Sequence, residues 1–97
     1  MPVAFMQEFA ATDDDRSTTN YDAISKQVMP ESDWPKGMIF HTAGWDEESR
    51  VFRIFDVWET QEDSQRFQDE RLMPIMQGAG APPDRAHYYE IHHLVKP

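Results

Sequence analysis

The stretch MIFHTAGWDEESRVFRIFDVWE, Met38 to Glu59, holds two β-rich runs around a short polar one. Met38–Trp45 and Arg50–Glu59 are dense in aromatic and β-branched residues, which suit a pleated, half-buried surface. Asp46-Glu47-Glu48-Ser49 between them is a polar four-residue turn, so the stretch predicts an antiparallel hairpin. Strand residues alternate faces. Pairing Trp45 with Arg50 puts Ile39, His41, Ala43 and Trp45 on one face with Phe52, Ile54, Asp56 and Trp58. The other face then carries Met38, Phe40, Thr42 and Gly44 with Val51, Arg53, Phe55 and Val57. In this register Ile39 faces Asp56, and His41 is its diagonal neighbour at ~7 Å. Asp56 is the anomaly. Aspartate is depleted from strands, and a buried carboxylate is costly without a partner.

Working outward, residues 3–9, VAFMQEF, read as a strand. The loop ATDDDRSTTN follows. Its three successive aspartates suit a solvated loop; they lack the spaced ligands and turn glycine of a calcium site. Tyr21, Ile24 and Val28 then fall on one helix face, with Thr18, Thr19 or Asn20 as cap and Pro30 as stop. ESDWPKG is a linker. Beyond the hairpin, Thr60 caps a helix predicted over Gln61–Met73. Glu62 and Asp63 lie in its first turn, Glu62, Arg66 and Glu70 step along it, and Pro74 kinks its end. QGAGAPPD is a loop, and AHYYEIHHLV, Ala86 to Val95, is a fourth strand. The order β-α-β-β-α-β is the ferredoxin-like pattern, an α+β fold in one domain spanning 1–97 with strand order 4-1-3-2. Right-handed crossovers put both helices on one face of the four-stranded antiparallel sheet. The strands are apolar on both alternations, so the second face needs a cover, and a second copy of the chain is the expected one. Arg53, on that face, suits a subunit salt bridge or a rim charge.

Composition narrows the partners. The 97 residues carry 9 basic and 18 acidic side chains, a formal net charge of -9. That charge repels nucleic acid and anionic membranes. The absence of cysteine removes disulfides, thiolate nucleophiles and sulfur-ligated metals. No signal peptide pattern opens the chain and no apolar run approaches membrane length, so a cytoplasmic location is expected. Gly78-Ala79-Gly80 sits in a proline-containing loop without the features of a phosphate loop. His92 and His93 are adjacent in a strand, so their side chains diverge and do not readily share a metal. No metal and no cofactor is expected.

Asp56 then has two readings. It is a structural carboxylate satisfied by backbone or His41, or it orients His41 as a general base in a pocket. Trp58 and Trp45 read as core or pocket wall.

GMIFHTAGWDEESRVFRIFDVWETQEDSQRFQDERLMP resembles the central part of dimeric α+β barrel proteins related to the antibiotic biosynthesis monooxygenases. The IFHTAG strand, the DVWET junction and the F-x-x-x-R-L-x-P segment from Phe67 to Pro74 carry the resemblance. The NYDAI helix and the EIHHLV strand extend it over nearly the whole chain. It implies a homodimer with two sheets face to face and a pocket between each sheet and its own helices. Such proteins include cofactor-free oxygenases acting on polyketide quinols, polyketide cyclases, lactone isomerases and haem-degrading enzymes. Trp58 loosely matches the pocket tryptophan of the haem degraders. Their iron-ligating helix histidine has no counterpart in Gln61–Met73. His41 and Tyr88 are the nearest matches to the pocket histidine and tyrosine of cyclase-like members.

Two functions follow as expectations. In the first, an apolar pocket bounded by Tyr21, Ile24, Trp58, Phe67 and Tyr88 takes an aromatic or polyketide-like molecule, and His41 with Asp56 removes a phenolic or α-carbonyl proton. The alternative is a non-catalytic homodimeric module that binds a small apolar ligand or fills the pocket with its own side chains.

Overall fold

A computed structural model describes residues 1–12, 16–76 and 82–96. The Asp13-Asp14-Asp15 run and the Gly78-Ala79-Gly80 loop lie outside the described residues. Four strands, β1 (Val3–Ala10), β2 (Met38–Asp46), β3 (Val51–Trp58) and β4 (Arg85–Glu90), form one antiparallel sheet in the order β2-β3-β1-β4. Helix α1 (Thr19–Val28) links β1 to β2. A longer helical stretch links β3 to β4: α2 (Gln61–Phe67), a π-turn (Gln68–Leu72) and α3 (Met73–Met76). This is the ferredoxin-like α+β arrangement. Among the described residues, no helix is long and apolar enough to cross a membrane.

The hairpin is displaced from the expected register. Trp45 pairs with Phe52 and Asp46 with Val51, so the turn occupies Glu47–Arg50, one residue later than predicted. Asp46 causes the shift: its carboxylate accepts from the Ser49 backbone N–H (3.2 Å) and from Arg53 (2.6 Å), so the turn starts behind it. Arg50 takes the left-handed conformation (φ 54°) that closes the loop. A slip of one residue at each end moves every pair by two positions, which leaves the faces unchanged. His41 therefore lies directly opposite Asp56 rather than diagonal to it. The faces change only at the start of β2. An irregularity between Met38 and Phe40 lets Met38 pair with Trp58, so Met38 is buried in the core instead of on the opposite face.

The helices cover one face of the sheet. Val3, Phe5, Val28, Met38, Trp58 and Phe67 form its core, with Ile24, Met29, Leu72, Ile75 and Tyr88 packed against it. The second helix begins as the sequence indicates: Thr60 Oγ1 accepts from the Asp63 N–H at 3.1 Å. It does not stop at Met73. The chain stays helical through Pro74 to Met76. The proline ring would collide with the Glu70 carbonyl in a regular α-helix, and the wider π-turn immediately before it relieves that clash. Arg66 pairs with Asp63 at 2.8 Å, three residues back.

Strand β4 ends at Glu90, not Val95. It has β1 as its partner, and the register reaches Val3 at Glu90. One further bond joins the Ile91 N–H to the Pro2 carbonyl (2.9 Å), and the ladder to β1 goes no further. His92 and His93 thus stand outside the sheet and exposed, and their expected alternation across it does not apply. On the uncovered face, Arg53 is held within its own chain by Glu8 (2.6 Å) and Asp46 (2.6 Å).

Gly37 lies where the linker passes close to the second helix. Its φ is 85°, a region that L side chains rarely adopt, and a Cβ built there would lie 2.2 Å from the Asp63 carboxylate. Gly37→Ala is expected to cost about 1–3 kcal/mol, from backbone strain and the displaced Asp63. Urea denaturation reads this directly; an unchanged midpoint would show that the linker moves away freely.

Candidate functional site

The site lies between α1 and the covered face of β1 and β3. Residue parity brings His41 (β2), Asp56 and Ile54 (β3) and Gln7 (β1) to that face in neighbouring positions. From α1, Tyr21, Ile24, Ser25 and Val28 share the helix stripe above them. The space between is a cavity of about 310 Å³. Its walls are mostly apolar: Phe9, Ile24, Phe52, Ile54, Phe67 and Leu72 among them.

One end of the cavity is polar. His41 Nδ1 lies 2.5 Å from Asp56 Oδ1, and both side chains are largely buried, at 14% and 7% exposure. An ionised carboxylate only accepts, so Nδ1 carries the proton and donates it to Asp56. In the neutral ring this leaves the lone pair on Nε2. The Tyr21 hydroxyl hydrogen-bonds that same Nε2. The two rings lie nearly parallel, 4° apart with centroids at 5.9 Å. Phe52 holds the Tyr21 ring edge-on at 5.3 Å. Burial holds the Tyr21 phenol above its ordinary pKa, the Ser25 hydroxyl bonded to it pulls the other way, and the negative charge of Asp56 adds to the rise. Tyr21 is therefore a neutral donor, and Tyr21–His41–Asp56 forms a continuous chain from the cavity to a buried carboxylate.

Of the residues singled out in the sequence, His41, Asp56, Tyr21, Ile24 and Phe67 line this cavity. Trp58 and Tyr88 stand apart from it. Trp58 is fully buried in the core against Phe67, because the β3 alternation carries it past the helix junction. Tyr88 stacks on Phe5 at 4.2 Å, and its hydroxyl is taken by Ser64 (2.9 Å) and Gln68 (2.8 Å). It ties β4 to the second helical stretch. Gln7, Asn20, Ser25 and Met29 also line the cavity and were not anticipated. Ser25 was findable, since it falls four residues after Tyr21 on the same stripe. Gln7 was not, because the parity of β1 depends on a register the sequence leaves open. Among the described residues no cluster of His, Cys, Asp or Glu is arranged to hold a metal ion.

No protein-family model and no curated protein matches the chain. Solved structures do. Rv0793 from Mycobacterium tuberculosis superposes with a TM-score of 0.72 at 11% identity, covering 99% of this chain and 100% of that one. SnoaB, a cofactor-independent oxygenase from Streptomyces nogalater, gives 0.68 at 11% identity, with 99% and 98% covered. An antibiotic biosynthesis monooxygenase candidate from Chloroflexus aurantiacus gives 0.68 at 13%, again with 99% and 98% covered. Identities this low speak for the backbone alone, and that backbone is the fold of the antibiotic biosynthesis monooxygenase-like proteins.

Proposed function

We propose that the chain binds a compact aromatic molecule with an acidic O–H or α-carbonyl C–H and ionises it, with His41 as the terminal base and Asp56 holding its tautomer. The observation that carries this reading is the juxtaposition of an apolar cavity with a buried His–Asp pair at its polar end. A histidine that served only the core would need no empty volume beside it. At about 310 Å³ the space lies at the small end of ligand pockets, which favours a few fused rings over a long chain.

The base step moves one proton from the substrate to His41, leaving an electron-rich anion beside an imidazolium that faces the Asp56 carboxylate. Such an anion can pass an electron to dioxygen, which is then the oxidant and ends in the oxygenated product and water. The likeness in fold to SnoaB, a cofactor-independent oxygenase, supports this direction. The protein is proposed to act as a homodimer. Phe40 and Tyr89 remain substantially exposed on the uncovered sheet face, which supports a second copy packing there.

Oxygen uptake over a panel of quinols and naphthols tests the activity. Uptake above buffer is expected for at least one compound, abolished in His41→Ala. Uptake equal to buffer for the wild type throughout the panel would sink the oxygenase reading.

A further inference from the structure

Both nitrogens of His41 are engaged: Nδ1 by Asp56 and Nε2 by the Tyr21 hydroxyl. A ligand in the cavity touches the His41 ring but finds its basic nitrogen, Nε2, already bonded to Tyr21. Two arrangements are open to it. Either Tyr21 swings away and the ligand takes its place on Nε2, or Tyr21 stays and hands the proton on. The packing opposes the swing. The Tyr21 ring is held edge-on by Phe52, and it lies nearly coplanar with the His41 ring, its hydroxyl aimed at Nε2.

We infer that Tyr21 is the residue that exchanges a proton with the ligand, as a relay between the cavity and His41. This rests on the proposed binding of an acidic aromatic molecule. The ligand O–H bond breaks as its proton joins the Tyr21 oxygen. In the same step the original Tyr21 O–H bond breaks and that proton forms the Nε2–H bond of His41. Tyr21 ends neutral, as it began. The ligand is left as an anion and His41 as an imidazolium, with Asp56 ionised throughout, so charge and protons balance with no further reactant. A relay suits the acidities involved. A buried phenol whose pKa is raised stays neutral and so offers no phenolate to act as the base, but it needs no lasting charge to pass a proton along.

The probe is 4-nitrophenol, whose anion is yellow and whose neutral form is not. It is added to excess protein about one pH unit below its own solution pKa. Binding is followed by tryptophan fluorescence and ionisation by absorbance. The wild type is expected to bind the probe mostly as the anion. Tyr21→Phe keeps the ring and blocks the route to His41; it is expected to bind within about threefold of wild type and to lose the anion band at least tenfold. Tyr21→Ala vacates the phenol's place, so the probe itself reaches Nε2, and the anion band is expected to return. His41→Ala should lose the band in either background. If Tyr21→Phe ionises the probe as fully as wild type, Tyr21 is a displaceable cap and the relay is wrong while the binding site stands. If the wild type does not bind the probe, or binds it neutral, the binding reading fails and the relay falls with it. Thermal melts of each variant establish that loss of the band is not loss of fold. Should Tyr21→Phe not fold, Tyr21→Leu takes its place, filling the space without a hydroxyl: an anion band as full as wild type there overturns the relay.

Discussion

Trp58→Ala is expected to lower the Tm by roughly 15–30 °C. Trp58 has no exposed surface and sits among Val3, Phe5, Val28, Met38 and Phe67, with Phe67 at 5.3 Å between ring centroids. Truncating a buried tryptophan to alanine typically costs about 3–5 kcal/mol, the lost transfer energy plus an unfilled cavity. A domain of this length holds on the order of 5–15 kcal/mol in total, so one side chain accounts for a large share. The indole N–H adds a second element. It is buried and meets no hydrogen-bond acceptor among the described residues, and an orphaned donor costs about 1–3 kcal/mol. Trp58→Phe removes that donor while keeping an aromatic ring against Phe67. It is expected to cost under about 2 kcal/mol, because the relieved N–H offsets part of the lost volume. Circular dichroism melts of the two variants check both statements. A Trp58→Ala protein within about 1 kcal/mol of wild type would show that the core closes over the gap.

Asp56→Asn is expected to slow His41-dependent turnover by about 10²–10⁴-fold while leaving the fold nearly intact. The amide has the shape of the carboxylate, and its oxygen can still accept from His41 Nδ1. What it lacks is the negative charge facing the imidazolium formed when His41 takes a proton. Orientation survives the substitution and electrostatic support does not, so the rate should fall far more than the stability. Asp56→Ala removes both, and with the Nδ1–H left buried and unpaired it should also cost about 3 kcal/mol. The measurement is oxygen uptake on whichever quinol the wild type consumes, alongside urea denaturation. Equal rates for wild type and Asp56→Asn would reduce the carboxylate to a structural hydrogen-bond partner.

Much of this was legible in the chain. The two runs around Asp46-Glu47-Glu48-Ser49 give the hairpin, and Pro30, Thr60 and the alternating strands give the order of elements. Because faces depend on parity, the hairpin turn could be misplaced by a residue and His41 and Asp56 still fell on the same face. Three details were not legible, each for a distinct reason. The turn moved because the Asp46 carboxylate is spent on Ser49 and Arg53, a choice made by three-dimensional proximity. Met38 entered the core through a break in strand register, which leaves no mark in composition. β4 stopped at Glu90, where its register with β1 ends, although the residues beyond, Ile91 to Val95, favour strand by their own propensity.

The same division runs through the site. The sequence by itself determined which residues share a layer: alternation put His41 and Asp56 under the helices, and the period of α1 put Tyr21 and Ile24 above them. Local geometry is sufficient for that, since both periods are properties of the backbone. Only the tertiary structure decided who touches whom. The bond from Tyr21 to His41 spans 20 residues and joins a helix to a strand, so it depends on how α1 is set down on the sheet. So does the cavity, whose size is the difference between what the helices span and what their side chains fill. Trp58 and Tyr88, both expected on the pocket wall, went instead to the core and to the clamp on the second helix.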